Sequence, residues 1–355
     1  MEYKSPLAEM AATTPTQFWN DNCSLKDLAF AIEHGAVGAT TNPVIVGQVL
    51  EAELPLHLSA IKELIASYPD ATEDEIAWLI NEKMAVDAAK LLHPVYCKNE
   101  KKTGYISIQT NSKYFLSAEK ITKQAVHFSK LAENIMVKMP VTEAGLKAIE
   151  ECTFLGVNVN ATVSFTVSQA LAVAEAIERG MARREKEGLD NSFLHPVCTI
   201  MIGRFDDYMF SIADAGNIIV DPQALAMSGV AIFKRAYAIY KERGYHTKLL
   251  VAAYRHHHHW SEFIGGDLAM TIPPLWIRRF VSSDITVENR IDNPIDPKYL
   301  NQLQKHFPDF CKAYEPDGLS PEEFTHYPLT IKTLDLFLSG YDKMIGIIRS
   351  IMLKK

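Results

Sequence analysis

Cysteine is sparse and unpatterned in this chain. Its 355 residues hold five, Cys23, Cys97, Cys152, Cys198 and Cys311, an odd number with no Cys-x-x-Cys pair. That argues against a disulfide framework and a cysteine-bound zinc, and it suits a reducing compartment. Long apolar runs are also missing: no stretch reaches the roughly 20 residues that a membrane-spanning helix needs. Met1 to Asn20 lacks the basic start and apolar run of an export signal. Positive charge is not in excess, with 36 Lys and Arg against 43 Asp and Glu, a formal net charge of −7. A broad nucleic-acid surface or an anionic membrane is therefore not an expected partner, although a few local arginines can still reverse the field in a small pocket. No low-complexity linker and no short-period repeat divides the chain. These absences together predict a cytoplasmic globular protein.

Apolar residues make up 48% and charged residues 22% of the chain, the balance of a globular core with a solvated surface. What recurs is a short β-like run followed by a helical pattern. The runs are residues 17–21, 37–41, 105–109, 134–140, 157–162, 197–202, 248–254 and 269–272. Between them lie helical patterns, for example Leu25, Leu28, Ala29 and Ile32 closed by Gly35, and a long stretch over about 55–92. Pro69 to Thr72 interrupts that stretch, and Thr72 with Glu75 reads as a capping box. Eight such units predict a (β/α)₈ barrel with helices outside a parallel sheet. The expected organisation is one barrel domain over residues 1–355, with 285–355 as a C-terminal helical extension. Its helices are expected near Pro297–Phe307 and Ile331–Ile351.

The fourth run, Asn134 to Pro140, carries a lysine inside an apolar strand pattern. Lysine is rarely buried without a partner. If both strand faces are covered, loss of hydration lowers the pKa of Lys138, and a neutral amine can attack a carbonyl to form a Schiff base. The plainer reading is a strand-end lysine whose head reaches water. The other strand ends favour the first reading. In such barrels active sites form at the C-terminal ends of the strands, and here those ends bear Asp21, Asn42, Gln109, Lys138, Asn160 with Thr162, Arg204 and Arg255. Side chains alternate along a strand, so Ser107 and Gln109 share a face, as do Asn158, Asn160 and Thr162. A polar row on one face is poorly suited to packing under helices and well suited to lining a site.

Each group has a role in Schiff-base chemistry. Asp21 can move a proton at a substrate hydroxyl, and Gln109 with Thr162 can hold a water for imine formation. Asn42 and Asn160 can bind hydroxyls, and Arg204 and Arg255 can grip an anionic tail. Taken singly, capping, turn formation and surface ion pairing account for Asp21, Asn42 and the arginines equally well. The run His256-His257-His258-His259 follows Arg255 directly. Adjacent histidines point different ways, so only one or two could converge. No metal is expected there, and one or two of them are expected to line the substrate mouth near the anionic tail.

At these residues the sequence resembles the transaldolase family. The matching stretches are Thr40-Thr41-Asn42-Pro43, Val137-Lys138-Met139-Pro140 with Thr142 to Leu146, Gly156 to Thr162, Ser168-Gln169-Ala170, Gly203-Arg204 and Tyr254-Arg255. The resemblance runs from about Trp19 to the C-terminus. It implies a class I aldol mechanism without metal or other cofactor, with Lys138 as the Schiff-base lysine, Asp21 as acid/base and Thr162 positioning a water. It further implies that Asn42 and Asn160 hold the dihydroxyacetone unit and that Arg204 and Arg255 hold a phosphate; Thr199 on the sixth run is placed with the substrate-binding set. The implied reaction moves dihydroxyacetone from fructose 6-phosphate or sedoheptulose 7-phosphate to an aldose phosphate, as in the pentose phosphate pathway, in a possible homodimer. Gln109 stands where typical transaldolases have glutamate, and there the chain resembles the fructose 6-phosphate aldolases. Met201 stands where an aromatic is usual, and Ala253 where a serine is usual. An aldolase, an enzyme for another anionic ketose such as a sulfo-sugar, and a non-catalytic sugar-phosphate binder are the alternatives.

Overall fold

In the computed structural model, which describes residues 3–354, eight strands close into a parallel barrel. They are β1 (Gln17–Asn20), β2 (Gly38–Thr40), β3 (Tyr105–Gln109), β4 (Ile135–Pro140), β5 (Val159–Ser164), β6 (Val197–Ile200), β7 (Lys248–Val251) and β8 (Ala269–Ile272). Each pairs with the next, and β8 returns to β1. The expected (β/α)₈ fold is the one observed.

Every residue of β3, β4 and β5 is buried, because helices cover the outside and the strands' own side chains fill the inside. Register decides which residues become neighbours. Gln109 pairs with Lys138, Lys138 with Asn160, and Pro140 with Thr162. Three separate polar strand ends thus form one row across the barrel.

Strands β5, β6 and β7 differ from the expected runs by two residues or more, and β1, β2 and β4 by one at an end. β5 begins at Val159 rather than 157 and runs on to Ser164 through a register shift against β6. Val163 in that shift has φ +59°, a left-handed conformation that a β-branched residue rarely adopts. β6 stops at Ile200, and Met201 is already the N-cap of a helix, Ile202–Ala215. Arg204 therefore projects from a helical first turn. β7 stops at Val251, and Ala253, at φ +69°, turns the chain before Tyr254 and Arg255. Such conformations store strain and cluster where function needs an unusual direction.

The helical stretch over 55–92 resolves into Leu54–Ser67 and Glu73–Lys98, the second opened by the expected Thr72–Glu75 capping box, and a further helix, Pro43–Ala52, precedes them. A short helix, Pro6–Thr13, had no counterpart in the sequence reading; it buries Leu7 and Met10. Beyond the barrel lie helices Pro297–His306, Pro308–Tyr314, Pro321–Phe324 and Pro328–Met352. The last packs along Pro43–Ala52 and against β5. Gly340 makes the close approach possible, since a Cβ there would come within 2.7–2.9 Å of Val44. A second apolar cluster forms around Val46, Leu50, Ile61, Ile76, Ile345 and Ile348. Burying each such side chain stabilises by about 1.5–3 kcal/mol, which is ample to hold the extension in place. Among the described residues no single helix is long and apolar enough to cross a membrane.

Candidate active site

A cavity of about 340 Å³ opens at the C-terminal ends of the strands, with Lys138, Asp21, Asn42, Thr199, Arg204 and Arg255 in its wall. A larger depression, about 580 Å³, lies beside Tyr68 and Trp78, away from the strand ends, with Asp70 and Glu75 as its titratable groups. Only the smaller one gathers buried charges of both signs, so chemistry belongs there.

Lys138 is 3% exposed, and its Nζ donates one hydrogen bond, 3.2 Å to the Thr41 carbonyl. Burial pushes its pKa down, Arg204 adds to that, and the negative field of Asp21 opposes it. Asp21, at the end of β1, is pushed up by burial against the opposing pull of Lys138, of a hydrogen bond from Thr40 and of Arg204. No salt bridge joins Asp21 and Lys138 among the described residues; they act on each other through space. Thr40 Oγ1 donates to Asp21 at 2.6 Å. Its other neighbour, Thr271 Oγ1 at 2.5 Å, must then donate to Thr40. A hydroxyl chain from β8 through β2 thus orients one Asp21 oxygen and leaves the other toward the cavity.

The row on β3 to β6 is held in the same way. Thr199 Oγ1 donates 2.7 Å to Asn160 Oδ1, and Asn160 Nδ2 donates 3.0 Å to Ser107 Oγ. Gln109 Nε2 donates 3.3 Å to Ser112, while its Oε1 and the Thr162 hydroxyl are buried without a protein partner. Gln109, Asn160 and Thr162 do not line the cavity; Gln109 and Asn160 flank Lys138 in register, and Thr162 pairs with Pro140, two residues further along β4. Asn42 does line it, but Asn42 Oδ1 is used as the N-cap of Pro43–Ala52, accepting from Val44 and Ile45 N–H at 3.0 Å each. Its capping and binding readings are both available, since the cap leaves Nδ2 free.

Arg204 is largely buried, and its Nε has no protein partner. Arg255 is half exposed and bound in a fork by Asp207, at 2.9 Å through Nε and 2.6 Å through Nη2. Both arginines line the cavity, and Arg255 is close enough to lower the Arg204 pKa, a pairing of cations that suits an anion between them.

The histidine run departs from expectation. None of the four lines the cavity. His258 and His259 begin a short helix, His258–Ser261, and His256 and His259 turn away from the mouth to meet Asp206. The turn that starts the helix sets i and i+3 close together, and it brings those two rings onto one carboxylate.

The sequence reading missed three groups. Tyr254 is 3% exposed in the cavity wall, its hydroxyl without a protein partner and its pKa pushed up by burial and then by Asp21. It read as the last apolar residue of a strand. Thr40 and Thr271 looked like ordinary strand residues; only barrel closure brings them to Asp21.

Comparison with known proteins points the same way as the geometry. Residues 18–320 match the family model described as Transaldolase/Fructose-6-phosphate aldolase. A transaldolase of Thiobacillus denitrificans is 30% identical over 236 residues, 63% of this chain and 64% of that protein. A probable transaldolase of Prosthecochloris aestuarii is 27% identical over 76% of this chain and 92% of its own length. Transaldolase 2 of a Nostoc species is 26% identical over 79% and 82%. The chain thus spans just under two thirds of the first of these relatives.

Proposed function

The chain belongs to the transaldolase/fructose-6-phosphate aldolase family, and from that membership we propose a Schiff-base enzyme that moves a dihydroxyacetone unit from a ketose phosphate to an aldose phosphate. The observation that carries the reading is Lys138: a buried amine with a lowered pKa that shares one cavity wall with the half-buried Asp21, whose pKa is raised. Two titratable groups whose pKa values are pushed toward each other suit an amine nucleophile and an acid/base partner.

Lys138 Nζ attacks the ketose carbonyl and water leaves, giving the iminium. Asp21 accepts the proton of the hydroxyl on the next-but-one carbon while the carbon–carbon bond breaks, and the aldehyde phosphate departs. The iminium nitrogen takes the electron pair as an enamine. That enamine attacks the acceptor aldehyde, Asp21 returns the proton, and water hydrolyses the imine. Thr162 and Gln109, with free acceptor or donor capacity beside Lys138, hold the water for imine formation. Asn160, oriented by Thr199 and Ser107, and Asn42 through Nδ2 bind the dihydroxyacetone hydroxyls, and Arg204 and Arg255 bind the anionic tail. The protein acts in cytoplasmic carbohydrate metabolism, as one barrel domain with residues 285–355 as its helical extension.

A second reading, aldol cleavage with release of free dihydroxyacetone, is favoured by one feature. Gln109 cannot take a proton from the water it holds, as a glutamate could. A coupled assay of aldehyde phosphate released from fructose 6-phosphate separates the two. Release that requires an added aldose phosphate supports transfer. Equal release without acceptor supports cleavage. No release in either case, with the sugar phosphate bound, leaves a binding protein and defeats both.

A further inference from the structure

The residues that grip the anion come from two places, the first turn of the helix Ile202–Ala215 and the turn after β7. One carboxylate, Asp206, joins these to a third element. It is 2% exposed and takes four hydrogen bonds. Oδ1 accepts from Ser228 Oγ at 2.9 Å and from Gly229 N–H at 2.8 Å, at the start of the helix Ser228–Arg243. Oδ2 accepts from His259 Nε2 at 2.7 Å and from His256 Nε2 at 3.3 Å. On its far side His259 Nδ1 lies 3.1 Å from the Arg255 main-chain N. A main-chain N–H can only donate, so Nδ1 must accept, and the ring proton must sit on Nε2, facing Asp206.

The cluster Asp206, His256 and His259 has the composition and spacing of a metal site, with its ligand atoms within 4.8 Å of one another. The tautomer argues against one. A neutral histidine that binds a metal through Nε2 carries its proton on Nδ1. Here that proton would point at the Arg255 N–H. The cluster is therefore built to hold a main-chain atom in place.

We propose that Asp206 and His259 are positioning residues for the anion grip: Asp206 fixes His259 as the Nε2–H tautomer, and His259 Nδ1 holds the Arg255 main chain, so that Arg255 meets Arg204 in the cavity wall. The turn needs such a tie. Ala253 stands at φ +69°, and its carbonyl is so close to Gly203 that a Cβ there would lie 1.8 Å away. The turn is thus pressed onto the residue before Arg204 from one side and tied through His259 to the residue two after it from the other. This inference rests on the assignment of Arg204 and Arg255 to the anionic tail, and it specifies what keeps them aligned.

The test uses the full chain and two variants, Asp206→Asn and His259→Gln. In D206N the amide keeps its oxygen for Ser228 and Gly229 and turns a donor toward His259, which forces the other tautomer. In H259Q the side chain still reaches Asp206 and loses the acceptor for Arg255 N–H. Titration with inorganic phosphate reads the grip without any turnover. Both variants are expected to bind it about tenfold more weakly, the loss of about 1.4 kcal/mol of interaction. KM for fructose 6-phosphate should rise by a similar factor, with kcat within about twofold, while activity on unphosphorylated fructose moves little. His259→Asn, which keeps an acceptor at the Nδ1 position, should recover part of the phosphate affinity. Nitrogen-15 spectra of the wild-type protein should show His259 as the Nε2–H form. An Nδ1–H or doubly protonated His259 would overturn the proposal. So would unchanged phosphate affinity in folded H259Q, or tight one-to-one zinc binding abolished in D206N. If the wild type turns over no ketose phosphate, the functional reading fails, while the phosphate titration and the spectra still decide this one.

Discussion

Two aspartates, the buried Asp206 and the half-buried Asp21, stand at the same end of the barrel, and they are treated in opposite ways. Asp206 receives four hydrogen bonds and no solvent. Burial alone would raise its pKa, but His256, His259 and the Gly229 N–H outweigh that and hold it below the usual carboxylate range. Asp21 receives one side-chain hydrogen bond, from Thr40, and burial wins: its pKa is raised. The contrast separates a carboxylate suited to holding structure from one suited to the proposed proton transfer. A fully satisfied carboxylate is a poor proton carrier, because every donor around it stabilises the charged form. An under-satisfied one keeps capacity to take a proton, at a cost in stability. The same contrast runs across the two regions. Around Lys138, Gln109 Oε1 and Thr162 Oγ1 lack protein partners. Around Asp206, both carboxylate oxygens are occupied.

The largest effect expected in breaking this contrast is at Lys138. Lys138→Met should lower kcat by about 10⁴-fold or more, since the covalent step has no substitute. Initial-rate measurements at saturating ketose phosphate check it. Asp21→Asn comes next, with kcat expected to fall about 10²–10⁴-fold as general acid/base catalysis is lost.

Stability should move in opposite directions at the two aspartates. A folded-state pKa raised above the unfolded value means that ionised Asp21 destabilises the fold. The penalty is absent below the unfolded pKa and full once pH exceeds the folded one. D21N should therefore gain stability over wild type at pH 7 from this source, with the gain vanishing as pH falls below the unfolded carboxylate pKa. Asp206 has the reverse sign: its stabilisation is present above the unfolded pKa and is lost as pH falls through the lowered folded value. D206N should be less stable at pH 7 by about 3 kcal/mol, with the deficit shrinking in acid. Denaturant melts of both variants at pH 7 and in acid measure this directly, and equal signs would remove the distinction drawn here. The smallest expected effect is at Gln109. Q109E adds a proton acceptor where the mechanism proposed above needs a water and should raise kcat by a few-fold, about 2–10, with the gain lost as the new carboxyl protonates in acid. A pH–rate profile of the variant against wild type reads it.

The barrel itself was legible because eight apolar runs alternate with helical patterns, and that alternation is set by backbone chemistry. The row Gln109, Lys138, Asn160 was legible for the same reason: period-2 alternation places each on the inner face. What escaped lies where the chain leaves regular structure or where distant elements meet, as at Thr40 and Thr271. Val163 and Ala253 adopt left-handed conformations that their side chains disfavour, so propensity pointed elsewhere and the ends of β5 and β7 were misplaced. Asp206 next to Asp207 reads as a charged helix surface; its burial appears only when the helix Ser228–Arg243 and the turn at His256 arrive from far along the chain. The histidines were expected at the mouth because Arg255 is there. Their helical spacing, set by the turn at Ala253, sends two of them the other way.

The central claim is that Lys138 is a buried amine poised to attack a ketose carbonyl. Borohydride reduction in the presence of fructose 6-phosphate, followed by peptide mass mapping, tests it most directly. A reduced adduct is expected on the peptide containing Lys138, and none in K138M. An adduct on a different lysine, or none on folded wild-type protein that binds the sugar phosphate, would contradict it.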